Sequence, residues 1–598
     1  MSHTLRWMAL LYSVLGAMLL ASILPAQAAE RITLTYLMSD GQMPGVNQAL
    51  KAVLAEHPEL RGRVRVQFIT ESMADRLDRQ AVLASDVLVL DMMNQALMER
   101  VSAEHDVDLL RDIARRGQVL AVGSGTVPIE YFTGQGARFD ERAQAFWQNS
   151  GASNQRGLLK FVLTLAGVDG LTLPDPEPSL EFGYYYPGDV SRGTDGRVFA
   201  DWTSFDAWRR QQPGYRPGAV EVAVPFYKAS YYGGETTVLD AIVREIERQG
   251  ANAVPLFGYP GKVAMERLAL DEQGRPRIDV ALSFLFRFAD FEATQALERI
   301  GVPLINLVTL YGRSEAEWRA STTGLSPFEG TYQVAVPELA GLIAPTVVGS
   351  REKVYDIETG LAVVAERPVS GRIEMAVARA LRYAELRRKP AADKSVAILY
   401  YNYPTGKSNI GASYLNVAES LSAILQRLRA EGYDTGSADL SAAALLTAMV
   451  DGARNIGGYA PGELEQLVAE HNPVLVSVTD YRRWFDALAP ALRDKVVKDW
   501  GEPEQSTLMT VERNGSRQLV IPALRFGKVL LQPQPSRAWG EDAQKMFHAS
   551  DLAPHHQYIA TYAWLREQAG VAAVIHLGTH GTHEWLDGKD VGLNEEDA

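Results

Sequence analysis

The chain has 598 residues, which at roughly 150 residues per domain exceeds a single hydrophobic core and predicts three or four domains. Its 46% apolar and 22% charged residues are typical of a globular protein and exclude a disordered chain. The net charge of −14 argues against a general nucleic-acid-binding protein but not against an anionic small ligand, and the absence of cysteine excludes disulfides, thiolate metal sites and a cysteine nucleophile.

Residues 1–28 have the pattern of an export signal. Arg6 supplies a positive charge, residues 7–24 are almost wholly apolar, and Pro25 precedes an A-x-A cleavage site at residues 26–28. An uncleaved signal anchor is the alternative, because the apolar run approaches membrane-spanning length. Either way, we expect the bulk of the chain to be exported, lying in the periplasm or anchored to the membrane and facing the periplasm.

Alternating strand and helix patterns predict α/β domains in tandem. A first α/β domain at 29–125 is followed by a mainly helical insertion at 126–215, a second α/β domain at 216–390 and a third at 391–598. Such alternation is typical of doubly wound parallel sheets. The predicted strands lie at 32–37, 64–69, 87–90, 221–226, 253–257, 280–284, 303–308, 395–400, 473–478 and 571–575. The predicted helices lie at 46–57, 236–249, 372–389 and 412–431.

The segment Tyr401–Ser408 lies between a predicted strand and a predicted helix, as a phosphate-binding P-loop does. It ends in Gly406-Lys407-Ser408, but Tyr401 stands where that loop needs its first glycine. A tyrosine there obstructs the wrap of backbone N–H groups around a phosphate. The sequence therefore disfavours nucleotide binding here, and any ATP used belongs to a partner.

A predicted helix begins near residue 554 and contains two adjacent histidines. Pro554 suits its first turn, with His555 and His556 directly after it, and Tyr558 and Tyr562 share one face. Two histidines in a first turn are more often exposed polar residues than ligands. The position of this helix beside the last strand favours a role in the site.

The loop His576–Gly592 contains a higher density of potentially catalytic and metal-binding side chains than any other stretch of the chain. It follows the apolar run Val571–Ile575, which has the length and branching of a buried strand, and ligands bind beyond the carboxyl ends of such strands. Imidazoles beside a carboxylate suit a first-row divalent cation, and the same groups also suit proton transfer. The spacing is not that of an H-E-x-x-H zinc protease and leaves both alternatives open. The metal candidates are His576, His580, His583 and Glu584.

The sequence resembles the CobN/magnesium-chelatase large-subunit family, which binds tetrapyrroles for metal insertion. The resemblance covers roughly residues 215–598 and is not confined to one loop. The segments that carry it are His576–Gly592, Ala223–Gly258, Gly324-Leu-Ser-Pro with Val334–Leu339, Asn402-Tyr-Pro404 with Asn409-Ile-Gly411, and Asp551-Leu with Pro554-His555-His556.

The resemblance implies roles for individual residues. His576, His580 and Glu584 are expected to be catalytic, delivering the metal and removing pyrrole protons, since a neutral imidazole or an ionised carboxylate is a reasonable proton acceptor. Lys589 is expected to bind a carboxylate of the macrocycle as a point charge. The other substrate-binding candidates are His555, His556, Tyr558, Tyr562 and Trp585, the last three as stacking walls.

The resemblance implies a cobaltochelatase-like function. A divalent metal would be a substrate (Co²⁺ first, with Mg²⁺ or Fe²⁺ as alternatives) beside a tetrapyrrole, and ATP would be hydrolysed only on AAA-type ATPase and adaptor subunits. Family members that make cobalamin or chlorophyll are about twice as long, and their ATPase subunits do not work outside the cytoplasm or stroma. The export pattern therefore keeps two alternatives open: an envelope dechelatase acting on an imported macrocycle such as haem, and a periplasmic tetrapyrrole carrier that serves a membrane transporter. Nucleic acid is not an expected partner.

Overall fold

The computed structural model describes residues 31–597 apart from several short internal segments. The predicted export signal at 1–28 lies outside the described residues. Within the described part of the chain, no helix combines the length and the hydrophobicity needed to cross a bilayer. The undescribed internal residues are 73–77, 105–107, 116, 126, 189–195, 288–292, 404, 406–408, 458–459, 514, 538–548 and 580–582.

The first unit is a doubly wound sheet of five parallel strands in the order β2-β1-β3-β4-β5. Apolar clusters cover both faces of the sheet, as continuous apolar strands require. The strands are β1 (Ile32–Leu37), β2 (Val64–Ile69), β3 (Val87–Asp91), β4 (Gln118–Val122) and β5 (Ala137–Phe139). The helices are Met43–Glu56, Arg79–Leu83, Gln95–Glu104, Leu109–Ala114, Ile129–Thr133, Glu141–Asn149 and Gly151–Leu165.

The second unit is an eight-stranded sheet in the order β13-β12-β11-β10-β8-β9-β6-β7. Its five central strands, from β12 to β9, are parallel, and the flanking strands are antiparallel. The strands are β6 (Gly183–Tyr186), β7 (Arg197–Phe199), β8 (Glu221–Phe226), β9 (Asn252–Phe257), β10 (Val280–Ser283), β11 (Leu304–Leu310), β12 (Ile343–Asp356) and β13 (Leu361–Pro368). The helices are Trp202–Arg209, Lys228–Tyr232, Thr237–Arg248, Gly261–Leu268, Ala293–Ile300, Glu315–Ala320, Pro327–Gly330, Val336–Leu339 and Arg372–Arg388.

The residues predicted as an insertion, 126–215, are divided between these two units. The helix Gly151–Leu165 packs its apolar face into the core of the first sheet, whereas β6 and β7 extend the second sheet. The two units are also tied together by the turn after β12. There Asp356 accepts a hydrogen bond from Asn47 at 2.9 Å and pairs with Lys51 at 2.6 Å.

The third unit has two sheets. In the main one, ordered β18-β19-β14-β20, the strand β14 lies parallel to both β19 and β20. The smaller one, β15-β17-β16, is antiparallel. The strands are β14 (Val396–Tyr400), β15 (Val474–Ser477), β16 (Thr510–Arg513), β17 (Ser516–Ile521), β18 (Leu524–Phe526), β19 (Val529–Pro533) and β20 (Ala573–Leu577). The helices are Val417–Ala430, Ala442–Gly452, Glu463–His471, Val478–Asp486, Pro490–Trp500 and His556–Glu567.

The strand predicted at Val571–Ile575 exists as β20, but the prediction that it is buried is wrong. Within the described residues β20 pairs only with β14 and forms the edge of its sheet. Val574 is consequently 41% exposed and Ile575 37% exposed. An apolar run signals a strand, but its residues do not tell how many neighbours the strand has.

Candidate active site

Three parallel strands of the third unit end at one edge of the main sheet. Tyr400 at the end of β14 lies opposite Pro533 of β19 and Leu577 of β20. The loops that follow these strands therefore converge, at the edge where ligands bind in open α/β sheets. The predicted loop His576–Gly592 begins here.

The histidines His555 and His556 anchor the helix His556–Glu567 and do not present free ring nitrogens. His555 is its N-cap: Nδ1 accepts from the backbone N–H of Tyr558 at 3.2 Å, and Nε2 donates to the carbonyl oxygen of Ser536 at 2.6 Å. In His556, Nε2 donates to the carbonyl oxygen of Gly501 at 2.9 Å and Nδ1 lies 3.0 Å from the Tyr481 hydroxyl. The bond from Tyr558 N–H requires a neutral His555 ring, whereas the contacts of His556 are compatible with either protonation state.

Burial favours the neutral form of both rings. It lowers the pKa of His555 to about 4 and also lowers the pKa of His556, because a charged imidazole loses its hydration there. Both rings are almost fully buried. The structure thus places them in the core that supports the helix, which differs from the substrate contact predicted for them.

Four aromatic rings meet beyond the end of β20 and form what we call the imidazole–tyrosine cluster: Tyr558, Tyr562, His576 and His583. The ring of His576 is stacked on Tyr562 at 6.0 Å between centroids, and the ring of His583 lies 5.1 Å from His576 and 5.0 Å from Tyr562. The Tyr558 hydroxyl is 3.5 Å from Nδ1 of His583. Two predicted stacking residues and two predicted metal-binding residues are therefore in one place.

The two imidazoles of this cluster are neutral at pH 7. Desolvation by the surrounding protein lowers the pKa of His576, and desolvation together with His576 lowers the pKa of His583 to about 4. Unlike His555 and His556, both residues are exposed. A neutral, accessible imidazole can bind a divalent cation or accept a proton.

Two further predicted residues are not described. His580 lies outside the described residues, and so does the side chain of Glu584. Among the side chains that are described, no three His, Asp or Glu groups come close enough to hold a metal ion. His576 and His583, two of the four predicted metal ligands, lie side by side, and metal binding by all four residues stays a prediction.

Arg537 holds the turn that carries His583 in place through hydrogen bonds. This guanidinium donates to the carbonyl oxygens of Trp585, Ala549 and Leu552. Trp585 itself is half-buried. Nothing in the sequence pattern indicated Arg537, because it follows β19 in a segment without a recognisable motif.

Lys589, predicted to bind a macrocycle carboxylate, is buried in an internal ion pair. Its ammonium lies 3.4 Å from the Asp597 carboxylate and 5.9 Å above the Trp318 ring. An ammonium occupied by an internal carboxylate is not available to a ligand in this conformation. The structure therefore assigns Lys589 to holding the loop in place.

The end of the loop docks on the second unit. Leu325 N–H donates to Val591 O at 3.1 Å, Trp318 Nε1 donates to Gly592 O at 2.9 Å, and Arg372 donates to Leu593 O at 2.7 Å. Gly324 has φ +77°, and a Cβ there would lie 1.8 Å from Val591 O, so glycine alone fits.

This docking gives a structural role to one of the segments that carry the family resemblance. Gly324-Leu-Ser-Pro was singled out only by resemblance, and the structure shows that it receives the end of the loop. Sequence reasoning missed Trp318 and Arg372, whose contacts join residues that are far apart in the chain.

The P-loop-like segment is only partly described, since Gly406, Lys407 and Ser408 lie outside the described residues. Asn402, in the same loop, is buried and accepts a hydrogen bond from the backbone N–H of Asn455 at 2.8 Å. Its side chain therefore shapes the loop after β14.

Comparison with known proteins identifies similar sequences. A model of the family described as CobN/Magnesium Chelatase matches residues 144–598. The aerobic cobaltochelatase subunit CobN of Sinorhizobium sp is 29% identical over 477 residues, which cover 78% of this chain and 36% of the relative. The chloroplastic magnesium-chelatase subunit ChlH of Oryza sativa subsp. indica is 27% identical over 483 residues, which cover 77% of this chain and 32% of the relative. The chain thus spans about a third of the length of these relatives.

A solved structure shows the same fold. The catalytic subunit of cobaltochelatase from Mycobacterium tuberculosis matches with a TM-score of 0.65 at 24% identity, covering 95% of this chain and 44% of that one. The predicted α/β class with parallel sheets in tandem is confirmed by this likeness and by the strand order.

Proposed function

Because the chain belongs to the CobN/magnesium chelatase family, we propose that it is the tetrapyrrole-binding part of a cobaltochelatase-like enzyme. In this proposal Co²⁺ is inserted into a metal-free corrin precursor, and ATP is hydrolysed on separate AAA-type subunits that act through an adaptor. The similarity to CobN supports cobalt, while the similarity to ChlH makes Mg²⁺ the alternative metal.

The imidazole–tyrosine cluster is the observation that carries this proposal. His576 and His583 offer two neutral nitrogen donors beside each other, which suits a first-row divalent cation better than Mg²⁺. The ring of Tyr562 is parallel to the ring of His576 and stacks on it. In this proposal the stacking holds the metal-binding pair, His576 and His583, in position. The convergence of the loops at the sheet edge leaves this pair accessible from outside.

The number of protons released when a metal ion is inserted also fits a pair of bases. A dication that enters the macrocycle displaces two N–H protons, so the overall charge of the macrocycle is unchanged and two protons must leave. An imidazole that has handed over its metal regains a lone pair and can accept one of these protons. With low pKa values, His576 and His583 pass such protons on to water and do not retain them.

A second candidate function is favoured by the N-terminal sequence. The apolar run at 7–24, followed by an A-x-A site, is typical of exported proteins, and a chain in the periplasm would not meet cytoplasmic ATPase subunits. The same imidazole pair would then take a metal out of an imported macrocycle such as haem. Two protons would enter the macrocycle as the dication leaves.

An anaerobic absorbance titration with three ligands distinguishes the two functions. The purified chain is titrated with haem, with a metal-free porphyrin and with a metal-free corrin precursor, and each mixture is then followed over time. Preferential binding of the corrin, with Co²⁺ incorporation after ATPase subunits are added, is expected for the chelatase. Haem binding followed by the spectrum of metal-free porphyrin would establish the dechelatase.

Matched histidine variants assign the activity to the cluster. His576→Gln and His583→Gln should each lose metal transfer while macrocycle binding persists, since the rings that would hold the macrocycle remain. His471→Gln is the control, because His471 lies on a surface helix of the same unit. Unchanged metal transfer in both cluster variants would overturn the proposal.

A further inference from the structure

A small cavity lies at the carboxyl edge of the second sheet, where β8, β10 and β11 end. Its volume is about 40 Å³, and its walls include Tyr227, Arg287, Thr309, Arg351 and Glu366. Space of this size holds roughly one or two water molecules, or a carboxylate group, but not an aromatic ring. Part of its wall, including Tyr227 and Glu235, comes from the segment Ala223–Gly258 that carries the family resemblance.

Arg287 is the unusual residue of the cavity. Its Nη2 is inaccessible to solvent and has no hydrogen-bond partner among the described residues. Desolvation lowers the pKa of its guanidinium, a sign that the charged form is held at a cost. The nearby Glu366 carboxylate offsets this lowering in part, but no described group accepts a hydrogen bond from Nη2. A buried donor of a charged group that lacks an acceptor is unfavourable, so its retention indicates an anionic acceptor that arrives from outside.

The acidic groups of the cavity are already engaged. Glu366 Oε1 accepts from Arg351 Nη2 at 3.1 Å, and Glu235 accepts from the backbone N–H of Glu366 at 3.1 Å and from the Thr237 hydroxyl at 2.8 Å. Burial also raises the pKa of Glu235. Neither carboxylate satisfies Arg287, so the cavity can accept one more anionic group.

Three exposed aromatic residues form a chain of ring contacts that reaches the cavity wall through Arg351, and we call them the aromatic rim: Tyr311, Phe328 and Tyr332. The rings of Tyr311 and Phe328 are 5.7 Å apart, and those of Phe328 and Tyr332 are 4.8 Å apart. The Arg351 guanidinium lies 4.8 Å from the Tyr311 ring and links the rim to the cavity. Exposed aromatic clusters of this kind mark surfaces that bind apolar or planar groups.

We propose that Arg287 binds a carboxylate at the edge of a planar aromatic ligand whose ring lies against the aromatic rim. Identifying that ligand as the macrocycle rests on the proposed function. The position agrees with this identification, because Val591 from the end of the histidine loop packs against the apolar cluster that includes Val308 and Leu310 of β11. A macrocycle held at the cavity by one carboxylate lies on the same unit that receives the end of the histidine loop.

The test compares two porphyrins that differ only in charge: metal-free deuteroporphyrin and its dimethyl ester. Binding to the full chain is measured by fluorescence quenching, with sodium acetate and inorganic phosphate as separate small probes in a thermal-shift assay. The variants are Arg287→Met and, as the matched control, Arg382→Met, whose side chain is 80% exposed on the helix Arg372–Arg388.

We expect the unsubstituted chain and Arg382→Met to bind the free acid at least about tenfold more tightly than the ester, since a charge-assisted hydrogen bond in a buried site is worth that much. Arg287→Met should bind both porphyrins with the affinity of the ester. Equal affinities in the unsubstituted chain, or a preference that survives in Arg287→Met, would overturn the inference and leave the proposed function intact. Stronger stabilisation by phosphate than by acetate would overturn the assignment to a carboxylate.

The small probes separate this inference from the proposed function. Stabilisation by acetate that depends on Arg287, without binding of either porphyrin, would keep the anion site and refute a porphyrin as its ligand. No response to any probe would refute the anion site, whereas the proposed function is decided separately by the titration with the metal-free corrin precursor. The ligand-free Arg287→Met protein is expected to be at least as stable as the parent, because the substitution removes an unpaired buried charge; a purely structural arginine would instead lower the melting temperature.

Discussion

Two pairs of histidines in the third unit have opposite surroundings. His555 and His556 are buried at the start of a helix, and all four of their ring nitrogens are engaged by the protein. His576 and His583 lie at the end of an edge strand with exposed rings that contact each other and two tyrosines. In both pairs burial or partial burial keeps the imidazoles neutral.

A low pKa alone therefore does not identify a functional histidine. What separates the pairs is the availability of the ring nitrogens. All four nitrogens of the first pair are engaged. In the second pair, among the described residues, only Nδ1 of His583 has a hydrogen-bond partner, the Tyr558 hydroxyl at 3.5 Å. The first pair should therefore contribute to stability and the second to binding.

The largest effect is expected from removing a buried imidazole. His556→Ala leaves a cavity and deprives the Tyr481 hydroxyl and the Gly501 carbonyl of their partner, which should cost about 2–5 kcal/mol of unfolding free energy. His576→Ala, at an exposed ring, should change stability by less than about 0.5 kcal/mol. Urea unfolding of the two variants measures both values. Similar losses in the two would remove the division between the pairs.

The pH dependence of stability should also separate the pairs. The pKa of His555 is about 4 in the folded chain and about 6.5 in the unfolded chain, so between these values only the unfolded chain binds the proton. The stabilisation linked to neutral His555 is thus complete above pH 6.5 and is lost as the pH falls towards 4, by about 3 kcal/mol. His555→Asn keeps an N-cap acceptor but cannot titrate, and it should flatten this part of the curve.

The control for that experiment is His471→Asn, on a surface helix of the same unit. The melting temperature of each protein is followed from pH 7 to pH 4. A curve for His555→Asn that is as steep as that of the parent would show that other groups, and not the buried cap, govern acid stability.

A smaller effect is expected where the loop docks on the second unit. Gly324→Ala places a methyl group against Val591 O at a left-handed backbone position and should cost about 1–3 kcal/mol of local stability. Faster hydrogen exchange is expected for the amides of residues 583–597, with the buried pair at 555–556 unaffected. Gly330→Ala is the matched control, since a Cβ at Gly330 meets no atom within 4 Å.

Much of the fold follows from sequence patterns. The strand predicted at 32–37 coincides with β1, and the predicted helix 372–389 ends one residue beyond the observed one, because each has a clear period and clear boundaries. The division of 126–215 between two sheets could not be predicted, since it depends on partners elsewhere in the chain. The exposure of β20 depends likewise on the absence of a second neighbouring strand among the described residues.

The site was predictable in its location but not in its contacts. The glycine–histidine loop after an apolar run predicted a site beyond the carboxyl end of a strand, and the loop does begin at that edge of the sheet. The meeting of Tyr562 with His576 agrees with the predicted helix face. The roles of His555 and Lys589 were not predictable, because their partners, Ser536 and Asp597, are fixed only by the folded backbone. His580 stays a prediction.

The smallest expected effect is the change in protonation of His583 with pH, which compares its surroundings directly with those of His555. An imidazole with an ordinary pKa of about 6.5 becomes roughly 90% protonated at pH 5.5, whereas His583, with a pKa of about 4, stays almost entirely neutral. NMR titration of histidine-labelled protein from pH 7.5 to 5.5 should therefore show a shift of only a few per cent of full amplitude for His583, with His583→Gln used to assign its signal. A midpoint near 6.5 would mean that water reaches the whole ring and that the cluster does not desolvate it. A flat signal would show that His583 shares its neutral state with His555 while remaining exposed, and protons would then compete little with a metal ion for this ring at any pH above 5.5.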